Sequence, residues 1–296
     1  MEKIKKVLIC GLGAIGTIYA DIISKHDPEN LKILVDEDRL KKYKAHPTIF
    51  NGKKLNLNYV LPSEKSFKPD LIIIAVKSYN LNEVIKNIKN FVNNNTLIIS
   101  LINGITSEHK IASVYDEEML VYSYFIGHSA VRHDRYINQD GVHKIVFGSY
   151  HLKDNVNRIK EYFDKVGINY EIPKDIKYSY WLKYMLNVSA NQVSAITGKT
   201  FGEMFESKKD MAMIKDAMSE VQQMARFDDV LHYENLINDA MKILKTMSPE
   251  GKTSMLQDVE AGRKTEIDIF AEEVIKWGKL YNFPTPRNKY FKEHLL

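Results

Sequence analysis

"KVLICGLGAIGTIYADIISK" spans residues 6–25, and its reading decides the fold. Residues 7–10 form an uninterrupted apolar run, as expected of a strand buried on both faces. Glycines follow at 11, 13 and 16, and Ala14 to Lys25 carries a helical period. Strand, glycine-rich turn and helix, in that order, open the βαβ unit that holds a dinucleotide. In that motif Gly11 permits the tight turn, Gly13 lets the backbone approach a pyrophosphate, and Gly16 lets the helix pack closely on the strand. The phosphates then lie at the helix N-terminus, where N–H groups and the helix dipole favour negative charge. Gly11, Leu12, Gly13, Ala14, Ile15 and Gly16 are therefore candidate cofactor-binding residues. The competing reading is a glycine-rich turn with no ligand.

The pattern continues outward from this unit. "LKILV" (31–35), "LIIIAV" (71–76) and "TLIIS" (96–100) read as further strands, with a helix over 80–92 between two of them. "MLVYSYF" (119–125), "HKIVFGS" (143–149) and "INYEI" (168–172) extend the series, the last two flanking a helix over 151–167. Continuous apolar strands alternating with helices imply a parallel sheet covered on both faces. After Pro173 only helical periods remain, with helices expected over 175–197, 207–225, 231–246, 254–280 and 287–295. The expected fold class is α/β: a Rossmann-type domain over 1–173, then an all-helical domain over 174–296.

Composition narrows the function. Lys and Arg total 42 against 38 Asp and Glu, spread along the chain, so the net charge of +4 is too weak and too mixed to argue for nucleic acid. The single cysteine, Cys10, excludes an intramolecular disulfide, and with no Cys/His metal spacing the expectation is no metal and a reducing, cytoplasmic setting. The basic start before an apolar run imitates a leader peptide, but the three glycines inside that run weigh against it. No later apolar run is long enough to span a bilayer, so no membrane partner is expected.

Several residues stand where chemistry is expected. Asp36 closes the second strand, 20 residues after Gly16, where an acid takes the ribose 2′-hydroxyl of NAD. Arg39, Lys41 and Lys42 follow and suit the 2′-phosphate of NADP, or simply open a solvated helix. Lys77 and Asn103 each follow a buried strand, at the end of the sheet where ligands bind in such folds. Either is equally a solvated lysine or an Asn-Gly turn with Gly104. His128 and His133 share one loop and read as surface or packing residues.

In "WLKYMLNVSANQVSAITGK" (181–199), Lys183, Asn187 and Asn191 recur every fourth residue of a largely apolar helix. At about 100° per residue, steps of four keep them on one narrow stripe. Buried polar groups are costly unless paired, so the stripe needs a polar neighbour. Ser254, Asp258, Gly262 and Glu266 recur likewise within the helix expected over 254–280, and form either a solvated face or a site wall.

Together "GLGAIG", "AVKSYN", Asn103-Gly104, "LKYMLNVSANQVSAITGKTFGEM" and "SMLQDVEAGRKTEID" resemble the ketopantoate reductase (2-dehydropantoate 2-reductase) family, in family order and over nearly the whole chain. The resemblance implies an active site in a cleft between the two domains, and reduction of 2-dehydropantoate to (R)-pantoate by a nicotinamide hydride, on the route to coenzyme A. It implies Lys183 as the catalytic lysine that polarises the ketone and supplies the proton, and Glu266 as the acidic partner near the reacting oxygen. It implies Asn187, Asn191 and Ser254 as substrate-binding residues, Lys77 near the nicotinamide end of the cofactor, and Asn103 near both cofactor and substrate. The family commonly reads the NADP phosphate with a basic residue after the second strand; Arg39 fits NADP, while Asp36 keeps NAD open. Expected partners are a small 2-oxo acid and, as an assembly to test, a second copy of the chain in a homodimer. The alternatives are a reductase of another branched 2-oxo acid and a non-catalytic dinucleotide sensor of the same fold.

Overall fold

The computed structural model describes residues 3–127, 131–150 and 152–295. The chain divides into two compact units, one reaching to Ile176 and the other starting at Lys177.

The first unit is built on β1 (Val7–Cys10), whose four residues are all buried. With β2 (Leu31–Leu34), the two-residue β3 (Ile49–Phe50), β4 (Lys53–Lys54) and β5 (Tyr59–Val60), β6 (Leu71–Ile74) and β7 (Leu97–Ser100), it supplies most of the strands. β8 (Leu120–Gly127), β9 (Val131–His133), β10 (Tyr136–Asn138), β11 (His143–Gly148) and β12 (Tyr170–Glu171) complete them. The main sheet has eight strands in the order β12-β11-β8-β7-β6-β1-β2-β5. Val7 pairs in parallel with Leu31 on one side and Leu71 on the other, which places β1 at the centre.

Successive side chains of a strand point to opposite faces, and that alternation divides the core in two. Val7, Ile9, Ile33, Ile73 and Ile99 face one layer, with α1 (Ala14–His26), whose Tyr19 and Ile23 pack there. Leu8, Cys10, Ile72, Ile74 and Ile98 face the other, against Leu81, Val84 and Ile85 of α3 (Leu81–Asn87) and Ile111 of α4 (Ser107–Ala112). The strands are apolar throughout because neither face meets water. α2 (Glu37–Ala45) and α5 (Lys153–Val166) complete the helices of this unit, and α5 adds Ile159 and Phe163 to the first layer.

Two features depart from a uniformly parallel sheet. β11 runs antiparallel to β8, because the chain returns through a hairpin instead of a helical crossover. That hairpin, β9–β10, joins β3 and β4 in a small second sheet of order β4-β3-β10-β9. Asn51 and Gly52 both have positive φ in the turn between β3 and β4, the form that suits a two-residue hairpin. Phe50, Leu55 and Ile137 close this sheet onto Ile18 of α1.

The second unit is helical. It contains α6 (Ile176–Leu186), a wider π turn (Asn187–Asn191), α7 (Gln192–Thr197), α8 (Phe201–Glu206) and α9 (Lys208–Phe227). α10 (Leu236–Leu244), α11 (Ser254–Glu260), α12 (Ala271–Leu280) and α13 (Pro286–Leu295) follow. The single helix expected over 254–280 is two helices. Gly262, in the left-handed region at φ +61°, turns the chain after α11, and the next helix starts only at Ala271. No described helix is long and apolar enough to cross a membrane.

The junction of α1 with β1 is the tightest point of the sheet unit. A Cβ on Gly16 would lie 2.0 Å from the Gly11 carbonyl oxygen, a backbone atom that cannot swing aside. Gly16→Ala is therefore expected to lower unfolding free energy in urea by about 3 kcal/mol or more. A loss under roughly 0.5 kcal/mol would show that the start of α1 moves freely.

Candidate active site

The glycine loop separates packing demands from ligand demands. Gly11 sits at φ +104°, and its Cβ would lie 2.6 Å from the Ala75 carbonyl oxygen. With Gly16, it is required by the protein's own backbone. Gly13 differs: its φ of −75° and ψ of −167° suit any residue, and a Cβ there would meet only the Ala75 oxygen at 3.9 Å. Gly13 also stands at the N-cap of α1 with no side-chain cap. The space beside it and the N–H groups of Ala14, Ile15 and Gly16 at the start of α1 could hold a pyrophosphate.

Asp36 has a structural task that the sequence reading overlooked. It is the N-cap of α2 and accepts the Arg39 backbone N–H at 2.6 Å and the Arg39 guanidinium at 2.5 Å. The signal was present, since an acid directly before "EDRLKKY" is a helix-start signature. Arg39 and Asp36 are thus one ion pair at the end of β2. Lys77 follows β6 and precedes a short 3₁₀ turn, Ser78–Asn80; Asn103 follows β7 and precedes Gly104 at φ +97°. Both strand ends lie on the same edge of the sheet as the glycine loop, because β1, β6 and β7 are parallel neighbours. His133 is an exposed residue of β9, and His128 lies outside the described residues.

In the helical unit Lys183 lies on α6, and Asn187 and Asn191 open and close the π turn that follows. The turn is wider than an α turn, yet the two amides still face each other, Asn191 Nδ2 donating to Asn187 Oδ1 at 3.3 Å. Ser189 Oγ donates to the Met185 carbonyl and Gln192 Nε2 to the Val188 carbonyl, each at 2.7 Å. π turns leave backbone carbonyls short of donors, and side chains of this kind hold them open.

Lys183 keeps part of its surface exposed, yet the protein crowded around its ammonium costs it hydration. That desolvation pulls its pKa below the usual lysine value, and the nearby Glu266 carboxylate opposes the shift without cancelling it. Glu266 is itself buried, 6% exposed. Its segment is tied to the lysine helix by Tyr184, whose hydroxyl reaches the carbonyls of Ile269 at 3.1 Å and Phe270 at 3.4 Å.

The expected stripe from Ser254 to Glu266 is not one helical face. Ser254 and Asp258 belong to α11, which packs on α7 and the π turn, whereas Gly262 and Glu266 lie past the helix end. Asp258 accepts the Arg263 Nε–H at 2.7 Å across that turn. Ser254 is exposed at the first position of α11. Glu266 comes near enough to influence Lys183 because the chain reverses, not because of helical spacing.

A buried network behind the π turn was also missing from the sequence reading. Gln192 Nε2 donates to Asn288 Oδ1 at 3.1 Å, and Asn288 Nδ2 donates to Glu220 at 2.7 Å. Glu220 also accepts the backbone N–H groups of Arg287 at 2.6 Å and Asn288 at 3.1 Å, so a carboxylate from α9 caps α13. Burial still holds the Glu220 pKa above its usual value. These partners are 68 and 96 residues apart, and no local pattern reports them. Among the described residues, no cluster of His, Cys, Asp and Glu is arranged to hold a metal ion.

Comparison with known proteins places both units in one family. Residues 7–151 match the family model described as ketopantoate reductase PanE/ApbA, and residues 175–295 match the model of its C-terminal part. A 2-dehydropantoate 2-reductase of Aquifex aeolicus is 26% identical over 97% of this chain and 94% of its own. An uncharacterized oxidoreductase of Bacillus subtilis, YkpB, is 22% identical over 95% of this chain and 94% of its own. The fold is shared with a D-mandelate dehydrogenase solved with NADH and anilino(oxo)acetate, at a TM-score of 0.86 and 21% identity over 98% of this chain and 96% of that one. With both units matched in order, the chain belongs to the ketopantoate reductase family of oxidoreductases.

Proposed function

We propose that the protein reduces a branched 2-oxo acid, with 2-dehydropantoate as the substrate favoured by family membership and (R)-pantoate as the product. The observation that carries this reading is Lys183: an ammonium of lowered pKa near a buried carboxylate, with amides four and eight residues further along at Asn187 and Asn191. The functional division follows the fold, with residues 1–173 for the dinucleotide and 174–296 for substrate and proton transfer.

A nicotinamide dinucleotide, when bound, supplies the hydride. Gly11, Leu12, Gly13, Ala14, Ile15 and Gly16 hold its pyrophosphate, and Lys77 and Asn103 flank its nicotinamide end. Lys183 Nζ donates a hydrogen bond to the substrate's ketone oxygen. As the carbonyl carbon gains hydride, negative charge builds on that oxygen, and the ammonium stabilises it and passes its proton across. Glu266 keeps Lys183 protonated often enough to serve. Asn187, Asn191 and Ser254 offer uncharged donors to the substrate's carboxylate and hydroxyl groups and fix its orientation.

Family membership favours NADPH, with Arg39 reading the 2′-phosphate. The Asp36–Arg39 ion pair favours a second reading, NADH, because the carboxylate that holds Arg39 would also repel a phosphate. Steady-state assays with both cofactors against 2-dehydropantoate and a panel of branched and aromatic 2-oxo acids test substrate and cofactor together. Arg39→Ala should weaken NADPH much more than NADH if Arg39 reads the phosphate; equal losses hand the selection to Asp36. Absence of turnover on every 2-oxo acid, with dinucleotide binding intact, would replace this reading with that of a sensor.

Three variants probe the machinery. Gly13→Ala should fold with wild-type stability, having room for its methyl group, and bind the dinucleotide less tightly; unchanged affinity would remove the pyrophosphate from residues 11–16. Lys183→Ala should lower kcat by about 10²–10⁴-fold at unchanged cofactor affinity. A folded variant retaining a third of wild-type turnover would exclude Lys183 as the acid. The acid works protonated, so kcat should fall on the alkaline side with a midpoint below the ordinary lysine value of about 10.4. Glu266→Gln removes the influence that raises the Lys183 pKa, so this limb should move to still lower pH. A limb that stays in place or moves upward would separate Glu266 from Lys183.

A further inference from the structure

We propose that Arg132 is a positioning residue of the dinucleotide site, locking the peptide between Leu12 and Gly13 and placing a positive charge beside the phosphate cradle. The inference rests on the reading that residues 11–16 hold a dinucleotide. Arg132 lies on β9, 120 residues from the glycine loop, and its Nη1 donates to the Leu12 carbonyl at 2.7 Å. Its Nε donates at 2.7 Å to the carbonyl of Asp134 in the same hairpin, so the guanidinium is held at two points.

The Leu12 carbonyl belongs to the same peptide unit as the Gly13 N–H. In a trans peptide these two groups point in opposite directions. Fixing the carbonyl toward the hairpin therefore aims the Gly13 N–H away from it and opposes a peptide flip, to which a glycine is prone. A hydrogen bond from a cation also polarises that peptide, making its N–H a better donor. The guanidinium carries five N–H donors in a rigid fork and cannot lose its charge near neutral pH. It thus adds a fixed cation next to a turn that otherwise attracts phosphate only through backbone dipoles.

The hairpin that carries Arg132 is itself anchored. Ile137 on β10 is buried with Ile18 of α1, Phe50 and Leu55. Asp134 accepts Lys42 Nζ at 3.0 Å, from the helix that starts at Asp36. One hairpin thus reaches both turns that the dinucleotide would touch, the glycine loop through Arg132 and α2 through Asp134.

The test is equilibrium titration of the full chain with NADH, NADPH and ADP-ribose at several salt concentrations, paired with thermal melts. The wild-type protein must bind at least one of the three; if it binds none, the dinucleotide reading itself fails. Given wild-type binding, Arg132→Gln should melt near the wild-type temperature and bind about tenfold more weakly, with a shallower salt dependence. Affinity within twofold of wild type, or weaker binding with an unchanged salt dependence, would overturn the proposal, the latter result marking Arg132 as a strut only. Should Arg132→Gln fail to fold, Arg132→Lys decides. Its single ammonium keeps the charge but cannot form the two-point bond, so the salt dependence should persist while affinity drops severalfold. Full affinity in Arg132→Lys would overturn the positioning role.

Discussion

α1 reaches its place on the sheet only because two backbones touch where side chains would otherwise intervene. The space between Gly16 and the Gly11 carbonyl leaves no room for a methyl group, and Gly11 itself adopts a φ that other residues resist. This contact sets the angle at which the helix leaves β1 and hence the direction of its N-terminal N–H groups. The first core layer is laid against the same helix through Tyr19 and Ile23, and the small sheet closes on its Ile18. Core packing, the orientation of these N–H groups and the seating of the small sheet therefore share one constraint. Gly13 stands apart, since the fold itself leaves room for a side chain there.

The helical unit depends on a balance of opposite influences on one ammonium. Burial makes the charged form of Lys183 costly, which brings proton release nearer to neutral pH. Glu266 offsets part of that cost and keeps the proton available. The proposed role as general acid needs both, because a fully hydrated lysine parts with its proton too reluctantly, and an unpartnered buried one arrives without it. The two residues are 83 positions apart in sequence terms, and the geometry that joins them comes from Tyr184 and from the reversal of chain after α11. The π turn behind them is backed by Gln192, Asn288 and Glu220, a buried polar chain whose links join residues 68 and 96 positions apart.

Much of this was legible in sequence because it obeys local rules. The buried strands at 7–10, 31–34, 71–74 and 97–100 are short apolar runs between helical periods, and the switch to helix alone near residue 173 is a change of period. The polar stripe Lys183–Asn187–Asn191 is a spacing within one helix, and the amides still meet across the π turn. The small sheet was not read, although Asn51-Gly52 is a hairpin signal, because its strands are two or three residues long and too short to display alternation. The helix expected over 254–280 failed for a related reason. A charged periodic pattern continued past Gly262, but periodicity does not report a left-handed residue that turns the chain.

The sequence by itself determined which segments become strands and helices, where the glycine turn falls and which side chains are candidates for chemistry, since these depend on neighbours within a few residues. Only the tertiary structure decided what those side chains meet: Asp36 with Arg39 as a cap and ion pair, Glu266 with Lys183 across a chain reversal, Arg132 with the Leu12 carbonyl. The physical reason is the origin of the energies. Strand and helix preferences are summed along the chain, whereas desolvation and long-range hydrogen bonds exist only once distant segments have been packed together.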